Sequence, residues 1–146
     1  MALIADSGGV YALFDKRDRH HSAVRQAIDQ ESSPIIIPAA ILGELDYLLL
    51  TRLGVDAEIR LLEGILRGAF TLEPFTRQDA VRCRELLMRY RGLALGLPDA
   101  SVIATAERLG VHRILTVDER DFRLVRTSRG EPFVLLPADE RRRRKR

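Results

Sequence analysis

Tryptophan is absent from this 146-residue chain, cysteine occurs once, and lysine stands only at positions 16 and 145. The single thiol, Cys83, excludes an internal disulfide and suits a reducing cytoplasm. Histidine does not make up the deficit as a metal ligand: His20 and His21 have no third partner nearby in the sequence, and His112 stands alone before a strand run. Long hydrophobic runs are missing too. The longest uncharged stretch, residues 32–43, is broken by two prolines and is too short to span a bilayer. With Asp6 so near the start, no apolar leader-peptide region is expected before it. Neither a G-x-x-x-x-G-K-[ST] loop nor a G-x-G-x-x-G turn occurs, which excludes the common glycine-rich phosphate binders. A receiver domain, whose acid pocket needs a lysine, is disfavoured because Lys16 is the body's only one.

What is present fits one folded domain. Hydrophobic residues make up 46% and charged residues 31%, a balance found in globular chains rather than disordered ones. The net charge of +3 conceals a division. Residues 141–146 read Arg-Arg-Arg-Arg-Lys-Arg, so the remainder of the chain is mildly acidic. We divide the chain into a domain over 1–137 and a basic tail, 138–146, expected to be solvated and disordered, with electrostatic attraction to RNA, blind to sequence, as its second reading.

Short apolar runs at 3–5, 35–37, 70–72, 114–117 and 133–136 read as buried strands. Between them lie helical patterns. A short helix is expected over 10–14 and an amphipathic one over 20–31. Pro38 is expected in the first turn of a helix reaching about Leu53. Asp56 is expected to cap a helix that turns Ile59, Leu62 and Leu66 inward. Thr76 caps 77–90, and a helix opens at Pro98-Asp99 and closes at Gly110. Strands alternating with helices predict a three-layer α/β/α sandwich around a mostly parallel sheet.

Ligand sites in such sheets lie at the carboxyl ends of the strands. Asp6 and Asp118 each follow an apolar run directly, Asp99 sits in the first turn of its helix, and Glu44 lies in a helix that follows a strand. Gathered together, four carboxylates repel one another and call for protons or a cation; oxygen-only ligands favour Mg²⁺ or Mn²⁺. Such a site is suited to phosphodiester hydrolysis. Each acid also has an ordinary structural use. Asp6 serves equally as a helix cap, Asp99 as a complement to a helix dipole, Asp118 as a turn residue and Glu44 as a solvated helix edge.

Four segments carry a family resemblance: Ile4-Ala5-Asp6-Ser7, Pro38-Ala39-Ala40-Ile41-Leu42-Gly43-Glu44, the run from Leu97-Pro98-Asp99 to Ala106, and Ile114-Leu115-Thr116-Val117-Asp118-Glu119-Arg120-Asp121-Phe122. Over residues 2–136 the chain resembles a PIN domain, specifically a VapC-type toxin ribonuclease. The resemblance implies that Asp6, Glu44, Asp99 and Asp118 are catalytic, with Asp6, Asp99 and Asp118 holding Mg²⁺ or Mn²⁺. It implies cleavage of single-stranded RNA to 3′-hydroxyl and 5′-phosphate ends in the cytoplasm, a homodimer, and an antitoxin on a separate chain. Ser7 and Thr116 match hydroxyl positions beside the metal, and Asp121 is placed to bind it through water or to cap a turn. Arg89 and Arg91 are candidate RNA-phosphate contacts on a helix face that otherwise reads as solvated. Two other readings remain: a housekeeping PIN nuclease in RNA processing, and a non-catalytic RNA-binding module.

Overall fold

Strand β1 (Ile4–Ala5) is only two residues long, yet both are completely buried. Successive strand residues face opposite sides, so helices must cover both faces of the sheet. The computed structural model, which describes residues 2–146, arranges five strands in this way. β1 pairs with β2 (Ile35–Pro38) on one side and β4 (Arg113–Leu115) on the other; β3 (Phe70–Glu73) and β5 (Val134–Leu136) close the edges. Every pairing is parallel, so the mostly parallel sheet of the expectation is wholly so, in the order β3-β2-β1-β4-β5.

Helix α1 (Ser7–Phe14) begins earlier than residues 10–14 suggested, because the Asp6 side chain caps it by accepting from the Gly9 amide at 2.7 Å. It is followed by α2 (His21–Asp29). Pro38 is not in a helix. It ends β2 opposite Glu73, a short 3₁₀ turn over Ala39–Ile41 follows, and α3 (Leu42–Arg52) starts only then. Proline's fixed φ serves an extended residue at a strand's end as well as a helix start.

Helix α4 (Val55–Leu66) corrects two expectations. Its N-cap is Gly54, whose φ of +92° favours glycine, and Asp56 lies in the first turn rather than at the cap. Ile59, Leu62 and Leu66 face solvent at 47%, 57% and 85% exposure, while Ala57, Leu61 and Gly64 face inward. Gly64 decides this rotation. A Cβ there would stand 2.6 Å from the Phe70 ring, so only the small-residue stripe lets the helix close onto β3.

Helices α5 (Arg77–Arg89) and α6 (Leu97–Leu109) pack together. Thr76 and Asp79 form a capping box on α5, and buried Asp79 also accepts from Arg108 Nε of α6 at 2.8 Å. Arg108 reaches Glu73 at 2.7 Å as well, so one guanidinium ties β3, α5 and α6 and holds α6 in place. Cys83 is buried with its thiol 3.9 Å from the Ser101 hydroxyl, in keeping with core packing.

Strand β4 stops at Leu115, two residues short of the expected end, because the Thr116 hydroxyl accepts from the Asp118 amide at 3.2 Å and turns the chain. A short helix α7 (Arg120–Leu124) follows. The tail departs from expectation: residues 138–144 form helix α8 (Ala138–Arg144). Asp139 and Glu140 open α8 and four arginines close it, which matches the helix dipole at both ends.

The docking of α1 against β4 is the tightest fit near the carboxyl edge. A Cβ on Gly9 would lie 2.4 Å from the Leu115 carbonyl oxygen, which is backbone and cannot swing away. Gly9→Ala is therefore expected to cost ~1–3 kcal/mol of stability by overpacking, read as a lower urea midpoint with unchanged slope. An unaltered midpoint would show that α1 is free to shift.

Candidate active site

The strand order reverses direction beside β1, because β2 follows β1 on one side and β4 lies on its other side. That switch point is where open parallel sheets leave a crevice at their carboxyl ends. Asp6 directly follows β1 and Asp118 lies just beyond β4, so they flank the crevice. The first turns of α3, α6 and α7 contribute Glu44, Asp99 and Asp121. All five acids line one cleft of about 200 Å³, together with Ser7, Gly8, Leu48, Val117 and Phe122. No basic side chain lines it.

The acids differ in surroundings. Asp6 is buried at the base, where its carboxylate accepts from the Thr116 hydroxyl and the Gly9 amide. Burial pushes its carboxyl up to about 7, against those two hydrogen bonds, and Asp99 and Glu44 add to the rise. Asp99 is half-buried, and burial, then the charges of Glu44, Asp121 and Asp118, raise it to about 6. Its helix neighbours Val102, Ile103 and Ala106 are buried, as the spacing predicts.

Asp118 lies at the solvent lip. The Arg120 guanidinium forks onto it at 3.2 and 3.1 Å and holds its carboxyl below the usual range. Glu44 accepts from the Ser7 hydroxyl. Thus the two hydroxyls expected beside the site each hold one of its acids. Arg120 was not among the expected residues; its role depends on how the chain turns after Thr116, which spacing alone does not reveal.

Arg89 and Arg91 are exposed but do not line this cleft. Arg89 lies over the Tyr90 ring at 5.6 Å, and Arg91 borders a separate apolar groove with Phe75, Leu87, Met88 and Leu97.

An all-oxygen donor set, in which burial holds Asp6 and Asp99 toward the protonated form, fits a hard divalent cation in its chemistry. Among the described residues, no three side chains already close around a common point. Asp6, Glu44 and Asp118 are each engaged by Thr116, Ser7 and Arg120.

Known proteins match along most of the chain. Residues 3–127 match the family described as PIN domain. A curated relative, Ribonuclease VapC26 of Mycobacterium tuberculosis, is 31% identical over 135 residues, covering 92% of this chain and all of that protein. Among solved structures, Mycobacterium tuberculosis VapC20, described as a sarcin-ricin loop cleaving toxin, superposes with a TM-score of 0.74 at 20% identity. It covers 80% of this chain and 90% of its own. A toxin-antitoxin complex from Klebsiella pneumoniae gives 0.65 at 23% identity, over 84% and 90% of the two chains. At these identities the structures attest the three-layer α/β/α fold.

The raised Asp99 carboxyl makes a testable statement about stability. The folded state keeps this proton to higher pH than the unfolded chain, whose value lies near the ordinary 3.8. The stability penalty is absent below about pH 4, grows as pH rises, and is complete above about 6. Asp99→Asn removes it. In EDTA at pH 8 that variant is expected to melt higher than the parent chain, by roughly 1–2 kcal/mol after allowance for solvent screening, with the gap closing at pH 4. A lower melting temperature for the variant at pH 8 would contradict this account.

Proposed function

The chain belongs to the PIN domain family, and we propose that it is a divalent-metal-dependent endoribonuclease acting as the toxin of a toxin–antitoxin pair. The observation that carries this reading is the convergence of five carboxylates on a cleft with no basic lining, two from the turns after β1 and β4 and three from the first turns of α3, α6 and α7. A module that merely bound RNA would gain nothing from acids facing an anionic ligand, which disfavours the non-catalytic alternative.

In this reading Asp6, Asp99 and Asp118 hold Mg²⁺ or Mn²⁺, and Asp121 contributes through water. When bound, the cation neutralises charge at a scissile phosphate and makes water easier to deprotonate. The chain's own residues supply order and proton handling. Thr116 fixes the rotamer of Asp6 from the base, and Gly9 holds its other oxygen. Glu44, which accepts a hydrogen bond from Ser7 in the cleft, would orient the attacking water and take its proton. Arg120 releases Asp118 at small cost, since that pair is solvent-exposed, with side chains 87% and 60% accessible. Products would carry 3′-hydroxyl and 5′-phosphate ends.

The toxin role is supported by the relative called Ribonuclease VapC26 and by the toxin–antitoxin complex among the solved structures. An antitoxin on a separate chain and a second copy of this chain are the proposed protein partners. The solvent-facing apolar side chains of α3 and α4, among them Tyr47, Leu50, Ile59 and Leu66, offer surface for such contacts. No helix among the described residues is long and apolar enough to cross a membrane. The cytoplasm, where the RNA is, is the proposed place of action.

The test is cleavage of a mixed RNA pool by antitoxin-free protein in Mn²⁺, in Mg²⁺ and in EDTA. Cutting is expected with either metal and not with chelator, and Asp99→Asn is expected to lower the rate at least ~10-fold, since a lost ligand weakens metal-ion catalysis. Asp121→Asn is expected to cost less. Equal rates for Asp99→Asn and the parent would remove the assignment. Growth arrest on expression, relieved by Asp99→Asn, separates a toxin from a housekeeping nuclease.

A further inference from the structure

Several arginines of this molecule are engaged by its own acids. Arg82 pairs with Glu107 at 2.7 Å, Arg108 with Asp79 and Glu73 at 2.8 and 2.7 Å, and Arg120 with Asp118 at 3.1 Å. The longest run of consecutive cations, residues 141–146, covers the end of helix α8 and the two residues after it. Arg141, Arg143, Arg144, Lys145 and Arg146 are exposed and form no ion pair among the described residues. The helix dipole favours cations at the end of α8, but like charges one helical turn apart repel, and five of them here have no acid to offset that repulsion.

The helix is nevertheless fixed in place, and fixed beside the acid cleft. Asp139 accepts from the Leu135 amide of β5 at 2.7 Å and from Arg123 of α7 at 3.1 Å. Arg142 reaches Glu119 at 3.6 Å. Glu119 is the residue between Asp118 and Arg120, at the lip of the cleft, and α7 supplies Asp121 to the cleft itself. Arg142, Arg143 and Arg146 also wall a shallow concavity of about 240 Å³ with Val134 and Asp139.

Resting on the nuclease reading above, we propose that α8 and the two residues after it form a phosphate-binding arm, whose five unpaired cations hold the backbone of single-stranded RNA beside the acid cleft. The matched family segment ends at residue 127, so this surface lies outside it. Chemistry selects the occupant. From Ala138 to Arg146 there is no apolar side chain larger than alanine, and a protein interface needs buried apolar or aromatic anchors. A polyphosphate chain requires charge alone, and charge without base contacts binds without regard to sequence. The arm thus contributes affinity, while choice of target is left to the cleft and its surroundings.

The test measures binding rather than turnover, so its failure is separable from failure of the nuclease reading, which the cleavage assay decides. Asp99→Asn protein and the same protein with all five cations changed to Gln are titrated with fluorescein-labelled single-stranded RNA in EDTA, from 50 to 400 mM KCl. Arg142, the anchor to Glu119, is left in place, and circular dichroism verifies the fold. The slope of log affinity against log salt is expected to shrink by about 3 to 4, the effect of five phosphate contacts on a single strand. The same change is expected for oligo-U and for a mixed sequence. Arg141→Lys, Arg143→Lys, Arg144→Lys and Arg146→Lys together are expected to keep the parental slope. Identical slopes for parent and Gln protein would overturn the proposal. So would polyglutamate of matched charge displacing the RNA at equal or lower concentration, which would assign the arm to an acidic protein.

Discussion

Repulsion among Asp6, Glu44, Asp99, Asp118 and Asp121 has to be carried by the scaffold, because no cation of the chain lines their common cleft of about 200 Å³. The fold does so by grading burial. At the base, Asp6 is enclosed and its carboxyl rises to about 7; midway, Asp99 rises to about 6; at the lip, Asp118 stays ionised against Arg120. Proton occupancy therefore falls from floor to rim, and the site spreads its charge rather than cancelling it. A divalent cation would meet an ionised acid first, and binding deeper would draw protons off the others.

That grading depends on backbone placements that are unforgiving. The Asp6 carboxylate is both the cap of α1 and a wall of the cleft, and α1 approaches β4 so closely that only glycine fits at position 9. The structural and chemical uses of Asp6 are one geometry. The same holds for Thr116, whose hydroxyl ends β4 and also holds Asp6. The contrast between cap and ligand, drawn acid by acid from spacing, dissolves here because a helix cap at the carboxyl edge of a strand already points into the crevice.

This explains what was legible in the sequence. Asp6 follows an apolar run and Asp99 a Gly-Leu-Pro helix start, and in a parallel α/β sheet position after a strand translates directly into position at the site. The strands and most helices follow from local patterns in the same way. What was hidden depended on distant contacts. Helix α4 carries its larger apolar side chains, Ile59, Leu62 and Leu66, on one face and small residues on another, and the fit of Gly64 over Phe70 turns the small face inward. Pro38 is compatible with strand and helix alike, and its pairing with Glu73 decides. Composition alone points the wrong way for the tail: six bases in a row suggest disorder, but Asp139 and Glu140 before them make a helix with the right charge at each end.

The separation between the acid cleft and the basic helix follows from the same electrostatics. A cation placed within reach of the cleft acids pairs with them, as Arg120 does with Asp118, and is then unavailable to an incoming phosphate. A cation much farther than a Debye length, about 8 Å in physiological salt, no longer helps an anion over the repulsive rim. Positive charge useful to this site must therefore stand just beyond the rim and be tethered to something other than a cleft acid. Helix α8 is tethered in this way, since its ties run to Glu119 and, through Asp139, to Arg123. Glu119 is the one acid beside the lip that the cleft does not use. The anchor thus spends a single arginine, Arg142, and leaves the rest of the arm free to meet a phosphate backbone.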